Sequence, residues 1–581
     1  MMIKRKFEKT KQKLTEITKS WGKGKVYLVG GCVRDQLLGI SPKDIDICID
    51  YPDGTTDFCN YLKENGLGKD FAVYPRFGTA KFTLTETNVQ IECVIPRTET
   101  YNSGPRKPDS VKYSTIEEDA KRRDFCCNAL YLDLLTDKML DPTGYGIQDI
   151  KNKILRTPLP ARETFIDDPL RMLRAFRFSA TLRFTILPEV YSEIKPYPEY
   201  SKLSMERVKD EFEKIMRTSE ASNTIRKLHE TGLLRYIIPE FEESWGFNQN
   251  SKYHSMNLTD HSLAVLDYVM VETFNIDIRI AALLHDIAKY KCWKLNSRGE
   301  FSYHGHEELS AELTAKILER LKFPKDRIQK IFKIIKYHMI IKHLYNPTTD
   351  SYTGSDAQTR KIIRILGEDL SGIMTLIDAD NKAHSPKYNM PGQVRSFIEK
   401  LVNIKTAKII RTCPVSGDEI MKELSLKPGP VIGEIKEIFL NWLDEKPELK
   451  NEELLERYRV TYPDDKYFWI WKNDNESIIT FGEPIKYNRS YSSPDNEIPY
   501  RLDYSIGVTD KPQYWKASEH PDLYRRLLRF KKSWEIFDKS SKEIREFLGV
   551  EGFKSIILTM DSDYDFSVEI KWEDEKPTYI V

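Results

Sequence analysis

Hydrophobic and polar positions change their period twice along this chain. Between about residues 25 and 158, short apolar runs (YLVGG, IDICI, GTAKFTL, VQIECVI, NALYLDL, KILRT) alternate with polar and helical stretches. Such runs, bounded by turn residues, predict strands, so the region reads as a sheet with helices. From about 159 to 460 the apolar residues fall three and four apart, as in DDPLRMLRAFRFSATL, RVKDEFEKIMR, LAVLDYVMVETF, IRIAALLHDIAK and ELSAELTAKILERL. That spacing predicts consecutive amphipathic helices. Pro188, Pro196, Pro239, Pro324 and Pro386 punctuate them. Beyond Pro463 the tail turns aromatic and mixed. KYFWIWKND, SIITFG, YRLDYSIGV, SIILTM and FSVEIKW predict strands around a helix at DLYRRLLRFKKSWEIF. The fold class expected is therefore α+β: a mixed sheet with helices, an all-α middle and a mixed α/β C-terminal extension.

Composition narrows this picture. With 581 residues the chain is too long for one core, and length alone suggests about three to five domains. Lys+Arg 90 against Asp+Glu 89 is nearly neutral, so a nucleic-acid surface has to be a local basic patch. The eight cysteines form no CxxC pair, which argues against a zinc ribbon and a disulfide framework and fits a reducing compartment. No apolar run approaches a membrane span. MMIKRKFEKTKQKL is basic without an apolar signal core and predicts a solvated amphipathic helix. A soluble, cytoplasmic protein with no membrane partner is expected.

The densest chemistry lies in YLVGGCVRDQLLGISPKDIDICI, residues 27–49. An apolar strand enters Gly30-Gly31, a helix opens with Arg34 and Asp35, and a second strand carries Asp44 and Asp46. The strand period of two puts both carboxylates on one face. Converging carboxylates suit Mg²⁺ against a triphosphate, and the glycines let backbone approach phosphate closely. Glu92, alternating with apolar neighbours in VQIECVI, is the candidate third carboxylate, because an unpaired buried acid is costly and has to face a cation or a cavity.

GGCVRDQLLGISPKDID, EEDAKRRDFCCNAL and FIDDPLRMLRAFRF, in that order, resemble the motifs of class II CCA-adding tRNA nucleotidyltransferases and bacterial poly(A) polymerases. Shorter pieces (FGTAKF, RTETY, RKP, DPTGYGIQDIKNKILRT, SMERVKDEFEKI) extend the resemblance to about residues 25–460. It implies a polymerase-β-like nucleotidyltransferase head, in which Gly30, Gly31 and Arg34 contact the triphosphate and Asp44 and Asp46 hold the metals. Arg122, Arg123 and Asp124 match the RRD element on the sugar–phosphate. Asp168 and Arg171 fall on the base-reading pair, followed by Arg174 and Arg177. Residues 168, 171 and 174 lie three apart, a spacing at which helix neighbours meet. A carboxylate accepting from an exocyclic amine beside a guanidinium donating to ring acceptors admits C and A and rejects G and U without a template. Where the family usually has Thr after RRDF this chain has Cys126, a weaker hydrogen-bonding group.

Six of the ten histidines lie between 261 and 343. His261, His285-Asp286 and Asp380 resemble the HD metal-dependent phosphohydrolase arrangement. Imidazole with carboxylate suits a divalent ion. His306 and His338 match positions that supply further ligands or phosphate contacts, whereas His343 reads as a core residue. The resemblance implies Mg²⁺ at the head, a divalent metal at the HD site, and tRNA, CTP and ATP as partners. The boundaries expected are an N-terminal helix (1–24), head (25–158), neck (159–245), HD domain (246–400), helical tail (401–460) and a C-terminal domain (461–581). The aromatics and basic helix of that last region read more readily as core and solvated face than as an RNA surface. CCA addition by two-metal transfer, with HD phosphohydrolase activity on RNA ends, leads. A poly(A) polymerase, and an HD-type RNA-end phosphohydrolase whose head only binds, remain open.

Overall fold

The computed structural model describes residues 2–461 apart from 43, 101–109, 199–202, 405–409 and 427. Beyond 461 it describes the strands at 467–472, 477–482, 513–516, 553–560, 566–572 and 578–579. The chain divides into two compact units, residues 1–354 with 366–401, and 355–365 with 402–581.

The first unit opens with a helix, Met2–Trp21, that buries Phe7, Leu14, Ile17 and Trp21 along one face. Trp21 meets Phe58 edge to face at 5.2 Å and donates from Nε1 to Asp57 at 2.9 Å. The basic N-terminus is thus a helix seated on the head by its apolar stripe. Seven strands follow: β1 (Lys25–Val29), β2 (Ile45–Asp50), β3 (Gly68–Tyr74), β4 (Thr79–Leu84), β5 (Val89–Val94), β6 (Tyr131–Asp133) and β7 (Met139–Leu140). They form one sheet in the order β3-β4-β5-β2-β1-β6-β7. β2 and β5 run parallel and the other neighbours antiparallel, so the sheet is mixed as expected. The register sets Asp46 opposite Glu92 and Glu92 opposite Lys81, which lines three polar side chains across the middle of the sheet.

After the head come Ala161–Asp167 and Leu170–Leu182, two helices rather than one. Pro169 disfavours helical backbone at the residue before it, and Asp168 is extended at φ −146°, ψ 96°. The helix Met205–Met216, capped by Ser204, packs on Leu170–Leu182 through Val208, Phe212 and Ile215. Leu258–Glu272 and Ile276–Leu284 are capped by Asn257 and Asn275, and Leu370–Ala383 packs against both. Ile276–Leu284 is apolar almost all round and is the buried centre of this bundle. Its Arg279 is buried, yet its guanidinium is satisfied by the carbonyls of Thr273, Met216, Thr218 and Met270 at 2.8–3.3 Å. This one side chain ties the C-terminal end of Met205–Met216 to the bundle.

In the second unit, Gly417–Glu423, opened by a Ser416/Glu419 capping box, Pro430–Glu445 and Asn451–Thr461 close on a core of Ile420, Ile435, Phe439, Leu443 and Leu454. Arg364 reaches Asp444 at 2.7 Å and Glu437 at 2.8 Å. The tail strands form two antiparallel three-stranded sheets, 477–482/467–472/513–516 and 553–560/566–572/578–579. The strand expected at YRLDYSIGV and the helix at DLYRRLLRFKKSWEIF lie outside the described residues.

Candidate active site and buried metal-ligand cluster

Asp46 lies on β2, and Asp44 stands at the bend just before it, exposed. Gly30, at the end of β1, has φ 75° and ψ −133°, a conformation open to glycine alone. A Cβ there would lie 3.4 Å from Arg123 Nη1 and 3.9 Å from Asp46 Oδ2. Backbone, guanidinium and carboxylate therefore meet at ordinary contact distance, and it is the positive φ that asks for glycine. Gly30→Ala should lower thermal stability by about 1–3 kcal/mol, the usual cost of such strain, as read by denaturant unfolding. Burial, then Glu92 beside it and Asp44 near it, pushes the Asp46 carboxyl up to about 6. Glu92 corrects the sequence argument. It is exposed rather than hemmed in by core residues, and Lys81 neutralises it at 2.7 Å. Its nearness to Asp46 comes from the β2–β5 register.

An arginine lattice lies beside these carboxylates. Asp119, fully buried, accepts from Arg122 at 2.6 Å, Arg123 at 3.1 Å and the Tyr131 hydroxyl at 2.5 Å. Burial alone would raise this carboxyl; Arg123 and Arg122 outweigh it and hold it at about 2. Asp124, likewise buried but held at about 2 by Arg174, accepts from that residue at 2.6 and 2.8 Å. Arg34 donates to Asp35 and to Asn128 Oδ1, both at 2.6 Å, and Arg177 donates to buried Glu211 at 2.5 Å. The guanidinium carbons of Arg34, Arg174 and Arg177 stand 5.1, 5.3 and 3.7 Å from the centroid of one ring, Phe178. Cys126 is buried and its thiol is pushed up to about 12 by that burial, which suits packing.

The expectation that Asp168 and Arg171 pair on one helix face is corrected. Asp168 sits in the break before Pro169, where its Oδ1 accepts from Leu170 N at 3.2 Å and its Oδ2 from Arg207 at 2.7 Å. Arg171 donates to the carbonyls of Arg122 at 2.5 Å and Thr164 at 3.1 Å. Arg207, Glu211, Asn128 and Asp119 escaped the sequence argument. Only Asp119 left a local signal, its spacing of three and four from Arg122 and Arg123, which follow directly on the helix Ile116–Lys121.

The second cluster is buried. His261, His285, Asp286 and Asp380 place ligand atoms within 4.8 Å of one another, and Asp286, His306 and His338 form a second such group. His261 Nε2 is 3.0 Å from Asp380 Oδ1, and His285 Nε2 is 3.2 Å from Asp286 Oδ2. The other oxygen, Asp286 Oδ1, lies 3.2 Å from His306 Nε2 and 3.8 Å from His338 Nε2, so this carboxylate faces both groups. His285, His306 and His338 direct Nδ1 at the carbonyls of Ala282, Tyr303 and Ile335 at 2.6–2.9 Å, which leaves Nε2 to point inward. His285 Nε2, His306 Nε2 and Asp286 Oδ1 are buried without hydrogen-bond partners. Orphaned donor atoms of this chemistry, converging, fit a divalent cation. Burial would strip the proton from His285; Asp286 and Asp380 overcome it and push its imidazole up to about 10. Lys289 caps Asp286 Oδ2 at 2.6 Å. His304 and His343 are exposed, so His343 is not a core residue. His254 and His384, which the sequence did not single out, meet His261 edge to face at 4.6 and 5.7 Å.

Among known proteins, the poly(A) polymerase head-domain family matches residues 26–156. The probable RNA and SrmB-binding site of polymerase A matches 183–244 and the HD domain 258–364. An A-adding tRNA nucleotidyltransferase of Deinococcus radiodurans is 30% identical over 426 residues, which are 70% of this chain and 89% of that protein. A multifunctional CCA protein of Nitrosococcus oceani is 33% identical over 54% of this chain and 75% of its own. The Bacillus stearothermophilus CCA-adding enzyme in complex with CTP shares the fold at TM-score 0.51 and 22% identity, over 78% of this chain and 98% of its own.

Proposed function

Because this chain belongs to the tRNA nucleotidyltransferase family with a poly(A) polymerase-type head and an HD domain, we propose that it completes the 3′-terminal CCA of tRNA from CTP and ATP. The observation that carries the reading is the row across the sheet. Asp46 lies in register with Glu92, Asp44 stands two residues before it, and Gly30 lies beside both Asp46 and Arg123. Asp44 and Asp46, with Glu92, would hold Mg²⁺, which would supply Lewis-acid activation of the attacking 3′-hydroxyl and charge neutralisation of the triphosphate. The Gly30–Gly31 backbone lets the phosphates approach closely, and Arg34 donates to them. Asp119 pre-positions Arg122 and Arg123 for the sugar–phosphate at no reorganisation cost when nucleotide arrives. Asp168 accepts from the base amine while Arg171 donates to the ring acceptors, with Arg174 and Arg177 fixed behind them by Asp124 and Glu211.

Purified protein offered tRNA lacking CCA, Mg²⁺ and each NTP separately and together tests this directly. Incorporation of C, C and A that then stops is expected. Addition of A alone would place the chain with A-adding relatives, and an unbounded A tail would make it a poly(A) polymerase. Asp168→Ala should raise UTP or GTP misincorporation relative to CTP by about tenfold or more, since a lost specific hydrogen-bond partner is worth that much discrimination. An unchanged NTP preference would remove Asp168 from base reading.

The orphaned ligand atoms of the second cluster support a second activity, metal-dependent phosphohydrolysis at RNA 3′ ends. A divalent ion on His261, His285, Asp286 and Asp380 supplies a nucleophile at neutral pH. His306 and His338 extend the ligand set through the shared Asp286.

A further inference from the structure

Two loops meet at the rim of the histidine–aspartate cluster, and neither supplies a ligand. Ser385 N donates to the Tyr253 carbonyl at 3.0 Å, and Ser385 Oγ donates to the carbonyls of Tyr253 at 2.7 Å and Lys252 at 3.1 Å. Held this way, the rings of Tyr253 and Tyr388 meet edge to face, 5.1 Å apart at 68°. Lys252 Nζ lies 5.2 Å from the Tyr253 ring centroid and 5.9 Å from that of Tyr388, and Lys387 Nζ lies 5.8 Å from the latter. Inward, the His254 ring lies tilted against His384 at 4.7 Å and edge to face with His261 at 4.6 Å. Exposure rises along this series of rings, from 0% at His261 and 5% at His384 to 45% at Tyr253. An outer tyrosine pair, next in sequence to His254 on one side, and an inner group of imidazoles thus lie between solvent and the ligand set.

We propose that Tyr253 and Tyr388, flanked by Lys252 and Lys387, form a platform for the terminal nucleoside of a 3′-phosphorylated ligand, with the base stacked on the rings and the phosphate turned to the cluster. This rests on the phosphohydrolase reading of the cluster. Tyr253 is exposed and Tyr388 half-buried, so part of the pair faces solvent. Base stacking on an exposed aromatic is sequence-tolerant, as a group that receives any RNA end has to be. The two ammoniums, 5.2–5.9 Å from these ring centroids, are placed to screen the next phosphate along a strand. At the inner end the cluster holds two carboxylates, Asp286 and Asp380, with Lys289 already on Asp286, so uptake of a divalent ion leaves excess positive charge that an anion neutralises. A nucleoside 3′-phosphate meets all three demands, whether it is free or terminates an RNA.

Calorimetric titration of the full chain in Mn²⁺ separates the possibilities. The probes are adenosine 3′-phosphorothioate, a hexaribonucleotide ending in a 3′-phosphorothioate, and inorganic thiophosphate. In the Tyr253→Ala, Tyr388→Ala double variant the first two should bind about tenfold or more weaker, the scale of a lost base stack, and thiophosphate should bind as before. The corresponding double Phe variant should bind all three like the native chain. Head-catalysed nucleotide incorporation should be unchanged, which reports an intact fold. Equal weakening of all three probes, or of none, overturns the platform. Weakening of the hexaribonucleotide alone places the contact on internal RNA and overturns the terminal-nucleoside assignment. Thiophosphate binding by the native protein that ignores Mn²⁺ counts against the phosphohydrolase reading, and the loss or retention of adenosine binding then still decides the platform.

Discussion

Asp46→Ala and Asp44→Ala are each expected to abolish nucleotide incorporation, by at least about three orders of magnitude, while metal uptake by the histidine–aspartate cluster persists. The more telling variant is Asp46→Asn. In the folded chain the Asp46 carboxyl sits at about 6, raised first by burial and then by Glu92, against about 3.9 unfolded. A folded-state value above the unfolded one means that ionising Asp46 opposes folding. The penalty is fully present above pH 6, shrinks as pH falls through 6, and vanishes below about 4. Asp46→Asn should therefore stabilise the magnesium-free protein by about 2 kcal/mol at pH 8, and by nothing measurable at pH 4. Chemical denaturation at the two pH values reads this. An Asn variant no more stable than the native chain at pH 8 would show that Asp46 is not the strained carboxylate described here. Magnesium should erase the difference by stabilising the native chain alone, because only the carboxylate gains from it.

Much of this site was legible in the sequence, and its gaps have physical causes. The strand period puts Asp44 and Asp46 together in the sequence, but the strand begins at Ile45 and leaves Asp44 in the exposed bend before it, a boundary that the period alone does not fix. Glu92 was found for a wrong reason: its environment depends on strand register with Lys81 and Asp46, which no local pattern carries. Asp168 was misplaced because three-residue spacing was read as continuous helix through Pro169, where the backbone of the preceding residue is driven extended. The partners that hold the arginines, Asn128 for Arg34 and Glu211 for Arg177, lie 94 and 34 residues away along the chain. Contacts of that range are set by tertiary packing. In the HD region the resemblance to the HD arrangement picks out the histidines that the structure brings together with Asp286 and Asp380. His343 failed because an isolated histidine in a helical stretch says nothing about which way it faces, and His254 and His384 failed because their role is contact with one another.

Asp286 is the side chain on which the second cluster turns, and its removal should cost more than any other single change there. Its two oxygens face different groups, His285 and His261 on one side and His306 and His338 on the other. Asp286→Ala should therefore abolish high-affinity metal uptake at both groups together, whereas Asp380→Ala should spare the group built on His306 and His338. Metal content after dialysis measures both. The same substitution leaves Lys289 buried without its carboxylate and takes from His285 the first of the charges that keep it protonated, so a loss of about 3–5 kcal/mol of stability is expected. Asp286→Asn, which keeps the shape, separates lost metal from lost folding. The native chain carries a pH signature of the same pair. His285 is raised to about 10 when folded, from about 6.5 unfolded, so its contribution is full below pH 6.5 and is lost as pH rises through 10. After treatment with a chelator, stability should fall between pH 7 and 10 through this group, and the decline should disappear in Asp286→Asn. Binding of a divalent ion at Nε2 displaces the His285 proton, so calorimetry at pH 7 in buffers of different ionisation enthalpy should register proton release on metal uptake. Uptake without proton release would mean that His285 is neutral in the metal-free chain, and the charge pairing assigned to Asp286 would be wrong.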